Sequence, residues 1–301
     1  MPEIKERDPR ILRSQPYRDQ IRAEIQARIA SYSCKPGLMI EQPNNDAGSN
    51  SYVPVKMREA SVVNINAYRA HFPNPDKTTP GMVIDFIKYA NTLPNIHANI
   101  VQRPSHEQLK PFDDEILSHI IPIQDVDGLR PDSPHTPATA SGIMELLKRS
   151  GRLKKAKDEG GKAVVWGKGP LSGGPTAKLL RHEGFDVHVI DSKSTEEEKI
   201  KYTKQGNLIV LAVGRGPRLV TAKYFVEGQN ATVVDVGVNR DVVANRNFGD
   251  ADAESVLAIL GPEGALTPVI GGVGPMTVEM LLVNVVNSYD LKPNRTQEQA
   301  A

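Results

Sequence analysis

Cysteine is nearly absent. Cys34 is the sole one in 301 residues, which excludes an intrachain disulfide and a cysteine-rich metal site. Neither sign of charge is in excess, with 37 Lys and Arg against 36 Asp and Glu, so net charge leaves no footprint for nucleic acid or an anionic membrane surface. No apolar run approaches the length that crosses a bilayer. The opening stretch, MPEIKERDPR, mixes acids with bases and lacks the apolar core of a signal peptide. The seven histidines show no HExxH or other metal-ligand spacing, so no metal is expected. Internal repeats are missing too. What is left is a chain expected to be soluble and cytoplasmic, long enough for two domains that each bury a core.

Residues 9–32 place Ile21, Ile25 and Ile29 at helical spacing with charges between them, the pattern of an amphipathic helix. Gly37 to Ile40 reads as a short strand, and QPNNDAGSNS after it as a loop of turn formers. The loop runs into Ser49, Tyr52, Val53 and Lys56 and then a helical stretch. On periodicity alone, Tyr52 and Lys56 are a solvated pair on one helix face. Pro54 fits there only within the first helical turn. Residues 80–93 read as a second amphipathic helix with Val83, Phe86, Ile87 and Tyr89 inward. The strand HANIVQRP follows, ending in Gln102 and Pro104, and by itself Gln102 is a surface amide. A helix around 113–119 leads to IIPIQDVDGLRP, whose Asp-Gly is an ordinary turn dipeptide. Another helix runs from Ser141 to Arg149.

A basic, Gly-rich stretch at 152–162 reads as a linker between domains. Beyond it, AVVWGKGPLSGGPTAKLLRHEGFDVHVID reads strand, glycine loop, helix, strand. Gly167, Gly169 and Gly173 are not spaced as in the common dinucleotide fingerprint. Their context is better: β-branched residues precede the loop, Pro175 stands at a helix start, and Asp191 closes the next strand. Backbone N–H groups at such a helix start can hold a pyrophosphate. Two almost continuously apolar strands, 207–214 and 231–239, flank a helix near 221–226, as in a parallel sheet covered on both faces. The alternation from 163 to 267 predicts a doubly wound dinucleotide-binding domain. In TPVIGGVGPMT, Gly271, Gly272 and Gly274 lie between Pro268 and Pro275, joining a strand end to an apolar helix. Glycines permit a sharp turn or a close ligand, and a tight turn alone would explain them. Pro293 to Ala301 reads as a frayed polar tail.

That last string resembles the C-terminal signature of the methylenetetrahydrofolate dehydrogenase/cyclohydrolase family, Pro-Gly-Gly-Val-Gly-Pro-Met-Thr, with Ile270 in place of the first proline. The family's Ser-x-x-Tyr-Val-x-x-Lys is present as Ser49, Tyr52, Val53 and Lys56. Its Val-Gln-Leu-Pro-Leu-Pro survives as Gln102 and Pro104, while Arg103, Ser105 and His106 depart and make that rim more polar. Asp-Val-Asp-Gly is intact from Asp125 to Gly128. Against Gly-Arg-Ser-x-x-Val-Gly-x-Pro, residues Gly167, Gly173 and Pro175 match, whereas Lys168, Gly169 and Ser172 depart. AVGRGPRLVT, VVDVGVNR and Gly249-Asp250 also resemble the family. Its longer connection after Asp-Val-Asp-Gly is missing here, where Gly128 reaches His135-Thr136-Pro137 through a short Pro-rich loop.

The resemblance covers roughly residues 35–290 and implies two α/β domains across a cleft, the second a doubly wound, Rossmann-like parallel sheet. Residues 1–148, with the returning helix 276–301, would be the folate-binding catalytic domain, and 149–275 the NAD(P)-binding domain. The implied activity is oxidation of methylenetetrahydrofolate with NADP, followed by hydrolysis of the methenyl product to formyltetrahydrofolate. Lys56 would be the catalytic cation, Gln102 its hydrogen-bond partner and Asp127 the holder of the pterin. Tyr52 would stack on the pterin, with Ser49, Pro268, Gly271 and Gly272 completing the substrate site. The dinucleotide contacts implied are Gly167, Lys168, Gly169, Gly173, Ser192, Val213, Gly214, Val238 and Thr277. Lys168, Ser192 and Lys193 favour NADP, while Asp191 favours NAD, the alternative cofactor. The partners are tetrahydrofolate derivatives and a second copy in a homodimer, with no nucleic acid and no membrane. A monofunctional NAD-dependent dehydrogenase, a shikimate-type dehydrogenase and a non-catalytic folate- or nucleotide-binding homologue remain as alternatives.

Overall fold

A computed structural model describes residues 8–214, 216, 218–241 and 246–292, and the tail read from Pro293 lies outside them. The chain forms two compact units. The first comprises residues 20–138 and the chain from 278, the second residues 139–277 and the chain up to 19.

Helix α1 (Gln15–Ile29) buries Ile21, Ile25 and Ile29, the stripe that the spacing predicts. In the first unit, strands β1 (Gly37–Gln42), β2 (Asn66–His71) and β3 (Ala98–Val101) pair in parallel in the order β2-β1-β3. Strands β1 and β3 are buried throughout, including their polar Glu41, Gln42 and Asn99. The edge strand β2, sequence NAYRAH, is half-exposed and has no run or alternation that marks it as a strand. Helix α2 (Ala47–Val62) joins β1 to β2, and α3 (Pro80–Thr92) joins β2 to β3, with α4 (Asp113–Ser118) beyond.

Two local expectations fail for stated reasons. The Asp46 carboxylate caps α2 by accepting from Gly48 N and Ser49 N, which moves the helix start upstream of Ser49. Pro54 therefore lies inside the helix, past its first turn; it is exposed, so water can meet the carbonyl that loses its donor. In α3 the buried residues are Val83, Ile84, Ile87 and Ala90, with Phe86 half-buried against Phe72. Tyr89, expected inward, is 58% exposed, because two residues past Ile87 the helix has turned to its other face.

Helix α5 (Ala138–Arg149) leads on to α6 (Arg152–Asp158), which occupies the stretch expected to be a linker. Leu153 and Ala156, one turn apart, are buried there, and the basic residues cover the outer face. The second unit then alternates β4 (Lys162–Trp166), α7 (Gly173–His182), β5 (Asp186–Ile190), α8 (Glu196–Gln205), β6 (Leu208–Leu211) and β7 (Thr232–Asp235). An antiparallel pair, β8 (Asn239–Asp241) and β9 (Arg246–Phe248), precedes α9 (Ala253–Ile259), the short β10 (Ala265–Leu266) and α10 (Val273–Leu291). The helix expected near 221–226 is a single 3₁₀ turn, Ala222–Tyr224.

The five parallel strands run β10-β7-β6-β4-β5. Successive residues of β4 serve opposite faces: Ala163 and Val165 pack with α5, α6 and α7, and Val164 and Trp166 with the other core. The strand order reverses at β4, with β5 added on one side and β6, β7 and β10 on the other, so the loops after β4 and β6 flank the switch point where doubly wound sheets bind ligands.

Candidate active site

Tyr52 and Lys56 lie one turn apart on α2 and share a face, with Lys56 Nζ 5.3 Å from the centre of the Tyr52 ring, within cation–π range. Lys56 is 5% exposed and donates to Gln102 Oε1 at 2.9 Å. The other end of the Gln102 amide donates to the Arg103 carbonyl at 2.8 Å, so its oxygen is turned to the lysine. Burial pushes the Lys56 pKa down, and the charge of Asp127 acts against that shift. Tyr52 is pushed up by burial, with Asp127 adding to the effect. Tyr52, Lys56, Gln102 and Asp127 are thus one electrostatic group. Ser49 is buried in the first turn of α2, its hydroxyl at the long distance of 3.5 Å from the Arg103 carbonyl.

Groups that sequence reasoning passed over hold the Asp127 loop. Asp125, fully buried, accepts from Arg130 N at 2.8 Å, and its carbonyl accepts from Ser133 Oγ at 2.9 Å. Desolvation raises the Asp125 pKa. From α10, Asn284 donates to the carbonyls of Val126 (2.9 Å) and Thr136 (3.2 Å), and Ser288 to that of Ile123 (2.7 Å). The short 128–137 connection is closed by these bonds rather than left open. Asn284 and Ser288 were visible as polar breaks in an apolar helix.

In the second unit, the loop after β4 packs backbone against backbone. A Cβ on Gly167 would lie 2.3 Å from the Ala212 carbonyl oxygen, and one on Gly173 2.2 Å from that of Gly167. Gly167 also has a φ of +97°, a conformation side chains disfavour. Gly174 N donates to the Gly169 carbonyl at 3.0 Å, folding the loop onto the first turn of α7. Lys168 reaches Asp191 Oδ2 at 2.6 Å, just past β5, beside the exposed Ser192. Val213 and Gly214 follow β6, Val238 follows β7 and is 61% exposed, and Thr277 lies in α10, its hydroxyl 3.3 Å from the Val273 carbonyl. Pro268, Gly271 and Gly272 form the turn that opens α10. There the Gly271 carbonyl accepts both Ser14 N and Ser14 Oγ at 2.9 Å, and Ile270 stands 78% exposed. A glycine-rich loop packed tightly at Gly167 and Gly173 beside a switch point, with Lys168 reaching the end of the second strand, suits a dinucleotide. Among the described residues no group of three or more His, Cys, Asp or Glu could hold a metal, and no helix is long and apolar enough to cross a membrane.

Comparison with known proteins agrees with both halves. The model of the tetrahydrofolate dehydrogenase/cyclohydrolase catalytic domain matches residues 12–127, and that of the NAD(P)-binding domain of the same enzymes matches residues 137–292. The bifunctional protein FolD of Syntrophus aciditrophicus is 33% identical, over 93% of this chain and 97% of its own. Among solved structures, the bifunctional FolD methylenetetrahydrofolate dehydrogenase/cyclohydrolase of Campylobacter jejuni superposes with a TM-score of 0.81 at 29% identity, covering 93% of this chain and 98% of that one. The Trypanosoma brucei FolD, complexed with NADP cofactor and an inhibitor, gives 0.82 at 27% identity, covering 93% and 97%. The chain belongs to the tetrahydrofolate dehydrogenase/cyclohydrolase family.

Proposed function

We infer that this family member is a bifunctional enzyme of one-carbon metabolism. It oxidises methylenetetrahydrofolate to methenyltetrahydrofolate with NADP and hydrolyses the product to formyltetrahydrofolate. The observation that carries the reading is the buried Lys56, bonded to Gln102 and under the charge of Asp127. Bound NADP supplies the hydride acceptor, held by the glycine loop at Gly167, Gly169 and Gly173 and by Lys168, Ser192, Val213, Gly214, Val238 and Thr277. Asp127 accepts two hydrogen bonds from the amino-pyrimidine edge of the pterin, a directional and charge-assisted contact. Tyr52 stacks on the ring, and Ser49 completes the substrate site on α2.

Lys56 serves the hydrolytic step. With its pKa lowered by burial, the amine can take a proton from the water that adds to the methenyl carbon. Gln102, which can only accept through the oxygen facing Lys56, fixes where that amine points. A spectrophotometric assay tests the reading: methylenetetrahydrofolate should reduce NADP, and added methenyl compound should lose its absorbance to hydrolysis. No reduction of either NADP or NAD would refute it. The enzyme is taken to act in the cytoplasm as a homodimer, and a solution mass of one 32.9 kDa chain would refute the dimer.

A further inference from the structure

Two carboxylates that neither reaction uses are buried in the second unit. Asp250 is fully buried at the end of the β8–β9 excursion, and its oxygens accept Val213 N at 2.7 Å, Gly214 N at 3.1 and 3.2 Å, and Asn239 Nδ2 at 3.0 Å. Asn239 Oδ1 in turn accepts Gly216 N at 2.9 Å. Three N–H groups of the loop after β6 therefore point inward, to one acid and its amide partner. Asp235 at the end of β7 holds the acid itself, accepting from Asp250 N (3.0 Å), Ala251 N (2.9 Å) and Gly237 N (3.0 Å). The packing admits no side chain on Gly249, whose Cβ would lie 1.9 Å from Asp235 Oδ2.

We propose that Asp250, with Asn239 as its second arm, is the positioning residue of the dinucleotide site, and that the loop it shapes meets an uncharged ribose or base rather than a phosphate. The proposal rests on the reading of Val213 and Gly214 as dinucleotide contacts. A loop that received phosphate would keep its N–H groups facing outward, as helix starts and anion nests do. Here those donors are spent on a buried anion, and its negative charge lies directly beneath the loop. Phosphate is left to the loop after β4, across the switch point.

The experiment compares wild type with Asp250→Asn and Asn239→Ala in both assays. Asp250→Asn should raise the KM for NADP roughly tenfold, as a loop N–H loses its acceptor, with the KM for methylenetetrahydrofolate within twofold of wild type. Asn239→Ala, at a half-buried position, should raise it about threefold and serves if the first variant fails to fold. Hydrolysis of methenyl compound without dinucleotide controls for folding and should keep at least half its rate. A merely structural role would depress both activities and leave the KM for NADP unchanged, which would overturn the proposal. Tighter NADP binding by Asp250→Asn would also overturn it, because removing a negative charge can only help a loop that touches phosphate. A wild type inactive with every dinucleotide would refute instead the function on which the proposal rests.

Discussion

Lys168 Nζ stands 2.6 Å from Asp191 Oδ2, so the cation proposed to meet a 2′-phosphate is paired with the carboxylate expected to repel one. Lys193 adds its backbone N–H to Asp191 Oδ1 at 2.8 Å. The hydrogen bond from Lys168 is the main reason the Asp191 carboxyl is held below the usual range. The two influences that sequence reading set against each other are one ion pair. Replacing Asp191→Ser releases Lys168, and kcat/KM with NADP should rise roughly fivefold while that with NAD falls. The gain should shrink at high salt. Equal effects on both cofactors would show that Asp191 does not face the ribose edge.

Lys56→Met keeps the length and burial of the side chain but removes its nitrogen. Hydrolysis of methenyl compound should fall at least about a hundredfold, with folate affinity within a few-fold of wild type by equilibrium titration. Hydrolysis at the wild-type rate would remove Lys56 from the mechanism.

Asp127→Ala deletes the acceptor assigned to the pterin. A charged hydrogen-bond partner is worth about 1.5–3 kcal/mol, so the folate Kd should rise roughly ten- to a hundredfold. Unchanged affinity would end the assignment.

Glu41 gives a pH prediction. It is fully buried on β1, between Ala70 and Val101 in register, and neither carboxylate oxygen has a hydrogen-bond partner among the described residues. Burial pushes its pKa from the ordinary 4.5 up to about 8. The folded chain holds this proton more tightly than the unfolded one. Its contribution to stability is therefore fully present below about pH 4.5 and is lost as pH rises through 8. Glu41→Leu should flatten that slope and be more stable than wild type at pH 9 by roughly 3–5 kcal/mol. Denaturant melts across pH 5–9 check it. An unaltered slope would mean that Glu41 does not carry the titration.

A buried acid in an apolar strand looks, in sequence, like an ordinary strand residue, because nothing local reports desolvation. The same blindness explains the other misses. Asp46 was legible only as a turn former, although its capping bonds decide where α2 begins and so where Pro54 falls. Strand β2 lacks a periodic signature because its residues stay partly or fully exposed, and pairing with β1 rather than burial makes it a strand. The 152–162 stretch looked like a linker because its charges outnumber the two residues, Leu153 and Ala156, that bury it.

The sequence alone determined what depends on near neighbours. Helical periodicity and short apolar strands marked the two α/β halves, and the spacing of Tyr52 and Lys56 put both on one face of a helix. Family strings then named the residues to watch. Only the tertiary structure could decide which of these residues meet. Lys56 finds Gln102 across 46 positions because β1 and β3 pair in parallel, Lys168 finds Asp191 across 23 through the pairing of β4 with β5, and Asp250 reaches back 37 positions to Val213. Strand register sets those distances, and burial sets the charge states that follow from them. Both are properties of the packed chain, with no counterpart in any short run of it.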